Sequence, residues 1–91
     1  MFQLVRTSNF DRQLARFVRL HPELKPKIAN LLRDVESDPF QPHLRLHALA
    51  GEFQGLHAAS LTYSYRLTMT VALAECEIVL LDVGSHDDVY R

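Results

Sequence analysis

Ninety-one residues suffice for one domain with one modest core, and 47% hydrophobic with 23% charged residues excludes a disordered or low-complexity chain. No apolar run reaches the length of about 18 residues that a transmembrane helix needs, and the single cysteine, Cys76, excludes an intrachain disulfide. Met1–Arg6 lacks the charged start and long apolar stretch of a signal peptide, so a cytoplasmic protein with no membrane partner is expected.

The net charge of −1 does not by itself describe a nucleic-acid binder, but it is unevenly spread. Residues 1–45 carry eight Lys/Arg and five Asp/Glu, a net +3, whereas residues 46–91 carry two and six, a net −4. The five histidines add positive charge at mildly acidic pH. The basic half can touch a phosphate backbone, weakly by the standard of dedicated binders.

Residues 2–6 (FQLVR) form a short apolar alternation that reads as a first strand. Thr7-Ser8-Asn9 supplies cap residues, and Asp11 suits a first helical turn. Phe10, Leu14, Phe17 and Val18 then recur at i, i+4, i+7 and i+8, one apolar helix face with Arg12, Arg16 and Arg19 off it. His21-Pro22 breaks this helix and starts a second, whose stripe is Leu24, Ile28, Leu31, Leu32 and Val35 and whose end is Ser37-Asp38-Pro39. The helical hairpin over 8–37 is too short to bury its own stripe.

The period then changes. Gly51 and Gly55 bracket Glu52-Phe53-Gln54, which marks a turn or bulge. In residues 65–73, Tyr65, Leu67, Met69, Val71 and Leu73 alternate with Arg66, Thr68, Thr70 and Ala72, a half-buried strand with one polar face. Ile78-Val79-Leu80-Leu81 is apolar on both faces, as a central strand is. Ala74–Glu77 reads as the turn between these strands, and Gly84 as the end of the last one. The expected fold is α+β over residues 1–91: an N-terminal strand and a helical hairpin packed on a small antiparallel sheet, in the order β-α-α-β-β-β.

Two segments add a resemblance to this reading. The first is Leu46-His47-Ala48-Leu49-Ala50-Gly51-Glu52-Phe53-Gln54-Gly55, followed by Tyr65-Arg66-Leu67. The second is Ile78-Val79-Leu80-Leu81-Asp82-Val83-Gly84-Ser85-His86-Asp87-Asp88-Val89-Tyr90. In this order and at this length the chain resembles the RelE/ParE toxin superfamily, most of all its YafQ-like and RelE-like ribonuclease branches. The resemblance implies a toxin held by a cognate antitoxin. It further implies, for RelE-type members, metal-free cleavage of messenger RNA in the ribosome. ParE-type members instead hold DNA gyrase and lack the cleaving residues.

Metal-free RNA cleavage requires a base for the ribose 2′-hydroxyl, a cation for the phosphate, and an acid for the departing 5′-oxygen. The resemblance places a phosphate-binding arginine at Arg66, a catalytic histidine at His86 and another at His47. It places a basic residue near His57 and an aromatic that stacks on or positions the nucleotide at Tyr90. His86 is the expected acid, and His47 or His57 the base. Each also has a plain reading: a solvated arginine on a sheet face, a loop histidine, a surface strand histidine, a tyrosine closing the core edge.

The chain departs from the pattern as well. Ser60 and Ser64 stand where YafQ-like toxins carry a second histidine and an acidic residue, and residues 46–65 contain no Lys or Arg. A gyrase-holding toxin and a decayed toxin that only binds an antitoxin therefore stand beside the nuclease. No cofactor is expected. His43, His47 and His57 lack zinc-site spacing, so no metal is expected either. Cys76 has no visible base partner and reads as incidental. Arg12, Arg16, Arg19, Lys25, Lys27 and Arg33 are either a solvated helix face or a ribosomal-RNA contact.

Overall fold

The computed structural model describes residues 1–85. Its elements follow the expected order with one addition. β1 (Gln3–Arg6) leads into α1 (Ser8–Leu20) and, through a single 3-10 turn at Pro22–Leu24, into α2 (Lys25–Ser37). β2 (His47–Ala48), β3 (His57–Ser60), β4 (Tyr65–Ala72) and β5 (Glu77–Ser85) complete one five-stranded sheet, ordered β1-β5-β4-β3-β2.

The sheet is mixed rather than wholly antiparallel. β2 to β5 are antiparallel neighbours, but β1 runs parallel to β5, with Leu4 opposite Ile78 and Val5 opposite Val79. The chain leaves β1 through the helices and returns in the same direction only at its last strand, so β1 meets β5 as a crossover neighbour. β5 is thereby flanked on both sides, which accounts for its run of apolar residues.

Local chemistry explains the helix start. Thr7 is the N-cap of α1: its extended backbone lets Oγ1 accept from Phe10 N–H at 3.0 Å. The same hydroxyl donates to Leu80 O at 2.8 Å, tying the helix to β5. Asn9 Nδ2 donates to Leu81 O at 2.8 Å. That second bond answers a bulge. Thr68 pairs with Asp82 and Met69 with Leu80, so Leu81 has no partner on β4 and its carbonyl turns to Asn9.

The bulge also resets which side chains face the helices. Leu80 and Val83 both enter the core, and Asp82 falls on the other side. Into this core α1 sends Phe10 and Phe17, and α2 sends Ile28, Leu31 and Val35. Leu14, Val18, Leu24 and Leu32, the other members of the two stripes, are partly buried against it. β4 contributes Leu67 and Met69, with Tyr65 set edge-on to Phe17 at 4.9 Å between ring centres.

Gly84 does not end the last strand. It lies inside β5, opposite Arg66. Gly51 and Gly55 do occupy left-handed backbone, at φ 67° and 94°, where they shape the connection between β2 and β3.

Candidate functional site

The sheet has one face against the helices and a second face turned away from them. Side chains alternate along a strand. Leu67 and Met69 are core, so Arg66 and Thr68 point to the second face. The register extends this face across the sheet: Ser60 is opposite Arg66, Ala58 opposite Thr68, and His47 opposite Ala58. Ala58 and Thr68 are buried at 0% and 3% exposure, and the threonine Oγ1 has no hydrogen-bond partner among the described residues. Toward Ser60 and Arg66 the face opens into a cleft.

This cleft has a volume of about 610 Å³. It is lined by Arg45, His47, Ser60, Tyr63, Ser64, Arg66 and Ser85. Among the described residues it is lined by two guanidiniums, an imidazole, three serines and a tyrosine, and by no carboxylate. Its shape follows from small neighbours. Arg66 has Ser60 on one adjoining strand and Gly84 on the other, so neither fills the space beside its side chain. Ser60 and Ser64, which read in the sequence as missing titrating groups, here form its hydroxyl-lined wall.

His47 is held in a definite tautomer. Its Nδ1 lies 3.0 Å from Arg45 O. A carbonyl oxygen only accepts, so Nδ1 carries the hydrogen and, in the neutral ring, Nε2 keeps the lone pair. Arg45 itself sits in left-handed backbone at φ 52°, at the end of the single turn Pro42–Leu44. For a residue with a Cβ that conformation costs on the order of 1–2 kcal/mol. The turn it makes brings its own carbonyl to His47 and its side chain into the cleft.

The residues proposed from the sequence are thus divided. Arg66 and His47 share the cleft. They lie two strands and two residues apart, on the order of 12 Å between Cα positions from strand spacing, which leaves room for a phosphodiester between the two side chains. His57 is not with them: it pairs with Met69 and faces the helix side, where its Nδ1 is buried without a hydrogen-bond partner among the described residues. His86 and Tyr90 lie outside the described residues.

Arg45 and Tyr63 belong to the cleft and were not singled out in the sequence. No residue-type signal marks an arginine for left-handed backbone, and Tyr63 sits in a four-residue connection with no periodicity to read. Among the described residues no three His, Cys, Asp or Glu side chains gather as a metal-ion site, and no helix is long and apolar enough to cross a membrane.

No family model matches the sequence, and no curated protein does. Solved structures match over nearly the whole chain. YafQ from E. coli strain BL21(DE3) superposes with a TM-score of 0.84, 12% identity and 100% of both chains covered. A metal-bound toxin from Helicobacter pylori gives 0.81 at 21% identity, over 99% of this chain and 100% of that one. A YoeB/ParE toxin from Agrobacterium tumefaciens gives 0.77 at 20% identity, over 93% and 99%. YafQ is also matched within the E. coli DinJ–YafQ toxin–antitoxin complex, at 0.80 and 13% identity. The chain therefore has the α+β fold of the RelE/ParE-like toxins. Within that fold its similarity extends over the full length of YafQ.

Proposed function

We propose that this chain is the toxin of a toxin–antitoxin pair, and that it acts as a metal-independent endoribonuclease on messenger RNA at the ribosome. The observation that carries this reading is the cleft in which Arg66, Arg45 and the tautomer-fixed His47 converge, with no carboxylate among the described residues that line it. Such a set suits an anion that gains charge during reaction.

The chemistry assigns one task to each group. His47 Nε2 takes the proton of the ribose 2′-hydroxyl. The 2′-oxygen attacks the adjacent phosphorus, the P–O5′ bond breaks, and a 2′,3′-cyclic phosphate and a 5′-hydroxyl result. Arg66, with Arg45 beside it, stabilises the negative charge that builds on the phosphoryl oxygens. A general acid gives the 5′-oxygen its proton. His86, one residue past Ser85 at the cleft rim, is the residue proposed for that step, and Tyr90 for contact with the nucleotide. His57, on the other face of the sheet, is left out of the mechanism. The partner proposed for neutralisation is an antitoxin protein, by analogy with DinJ on YafQ.

The test is translation in a cell-free extract with mapping of message ends. New 5′-hydroxyl ends are expected with the wild-type chain, and none with Arg66→Ala. Growth arrest with intact message overturns the nuclease. One observation favours a second reading, a toxin that holds DNA gyrase: Ser60 and Ser64 line the cleft with hydroxyls where the resemblance to YafQ-like toxins implies a second histidine and an acidic residue. Inhibition of supercoiling by the wild type and by His47→Gln alike supports that reading instead.

A further inference from the structure

The cleft around Arg66 does not end at Arg45. A second cleft, about 500 Å³, runs between α2 and the connection from β3 to β4. Arg45, Ser60 and Tyr63 line both. The second cleft adds Lys27, Asn30, Asp34 and His43. Arg45 thus stands between two concavities that share a wall, and Tyr63 stands on their common rim.

Tyr63 is fully exposed, at 100%. A ring left wholly in solvent buries no apolar area, so the core does not explain it. The charges around it point in one direction. Lys27, Arg45 and Arg66 are cationic. Asp34 is the sole carboxylate lining either cleft among the described residues, and His43 Nε2 donates to its Oδ2 at 3.0 Å. The apolar residues of the second cleft are its floor: Leu31, Leu44 and Leu61 are 6%, 2% and 5% exposed. An amphipathic peptide helix buries its apolar stripe against exposed apolar side chains, and here the three leucines lie at the floor, each at most 6% exposed, beneath a polar and charged rim. A single-stranded polynucleotide needs cations for its phosphates and an aromatic platform for its bases, and this surface offers Lys27, Arg45 and Arg66 for the first and Tyr63 for the second.

We infer that the two clefts form one groove for a single strand of RNA, with a base stacked on Tyr63 and the flanking phosphates held by Lys27 and Arg45. The inference rests on the nuclease reading and extends it, because it says where the nucleotides beside the scissile phosphate go. Arg45 then serves both halves of the groove, which gives its left-handed backbone a use.

The test is fluorescence anisotropy on the purified chain with fluorescein-labelled 2′-O-methyl oligonucleotides, which lack the attacking hydroxyl and stay whole. An octanucleotide is expected to bind at least about tenfold tighter than a trinucleotide. Tyr63→Ala is expected to weaken the octanucleotide about tenfold and leave the trinucleotide unchanged, while Tyr63→Phe keeps the wild-type affinity. Lys27→Gln is expected to weaken it too and to reduce the salt dependence by about one released ion. Circular dichroism confirms that each variant folds.

An octanucleotide that binds no tighter than the trinucleotide, or not at all, overturns the groove, as does Tyr63→Ala with wild-type affinity. Loss at Tyr63→Ala of affinity for a protein partner alone assigns the surface to a peptide and also overturns it. Failure of the nuclease reading looks different: octanucleotide binding that depends on Tyr63, in a chain that leaves message intact, keeps the groove and removes the cleavage.

Discussion

On the helix-side face of the sheet, Leu67, Met69, Ile78 and Leu80 are at most 2% exposed and meet Phe10 and Phe17 from α1. On the other face the same strands present Arg66 and Gly84, with Ser60 and His47 beyond them. One face is apolar and closed; the other ends in a cleft lined by cations and hydroxyls. Stability and the proposed chemistry thus fall on opposite sides of one sheet. Substitutions on the two faces should therefore fail in different ways, the first by unfolding and the second by inactivity with the fold kept.

The largest effect tests the closed face. Phe10 is 0% exposed at the centre of the core. Phe10→Ala leaves a cavity and is expected to cost about 3–5 kcal/mol. In a domain of this size that lowers the thermal midpoint by more than about 10 °C, read by circular dichroism. A drop of only a few degrees means that the helices are not held as described.

The next effects test the cleft. Arg66→Ala removes the cation proposed to meet the developing charge and is expected to slow cleavage about 100-fold or more. His47→Gln removes the proposed base and is expected to slow it about 100-fold. Both should keep the wild-type thermal midpoint within a few degrees. His57→Leu is the control, on β3 between the strands of His47 and Arg66. It replaces an imidazole whose buried Nδ1 has no hydrogen-bond partner among the described residues, so activity is expected to stay within a few-fold. Loss of activity with His57→Leu, while His47→Gln keeps it, reverses the assignment of the base.

The closed face was largely legible in the sequence. The stripe Phe10, Leu14, Phe17, Val18 and the alternation from Tyr65 to Val71 are periodic, and periodicity is what burial on one side imposes. The open face was less so. Which face a histidine takes depends on register, and one residue of slip moves it across the sheet. His57 shows this: its neighbours Leu56 and Ala58 give no alternation strong enough to fix its side. β2 is two residues long, and its pairing exists because Arg45 turns the chain toward β3. The bulge at Leu81 hides inside an unbroken apolar run, and the parallel pairing of β1 joins residues more than seventy positions apart. Arg66 was found because the polar half of a clean alternation pointed to it. Arg45 and Tyr63 were not, because neither lies in a periodic element.

The smallest expected effects concern the same backbone conformation in two places. Arg45 at φ 52° and Cys76 at φ 51° are the two non-glycine residues with left-handed backbone among those described. Cys76 lies exposed in the turn between β4 and β5, at the opposite end of that hairpin from Arg66 and Ser85. Cys76→Gly relieves the Cβ clash but frees the unfolded chain, so a net gain of at most about 1 kcal/mol is expected, with full activity. Arg45→Gly should change the backbone by the same amount, and it keeps the carbonyl that accepts from His47 Nδ1. What it removes is the guanidinium. Stability is therefore expected to hold or rise slightly while cleavage falls about tenfold. If both variants keep full activity, the strain at Arg45 serves only the turn; if Arg45→Gly alone loses activity at unchanged or higher thermal midpoint, the strain is retained for the charge it places in the cleft.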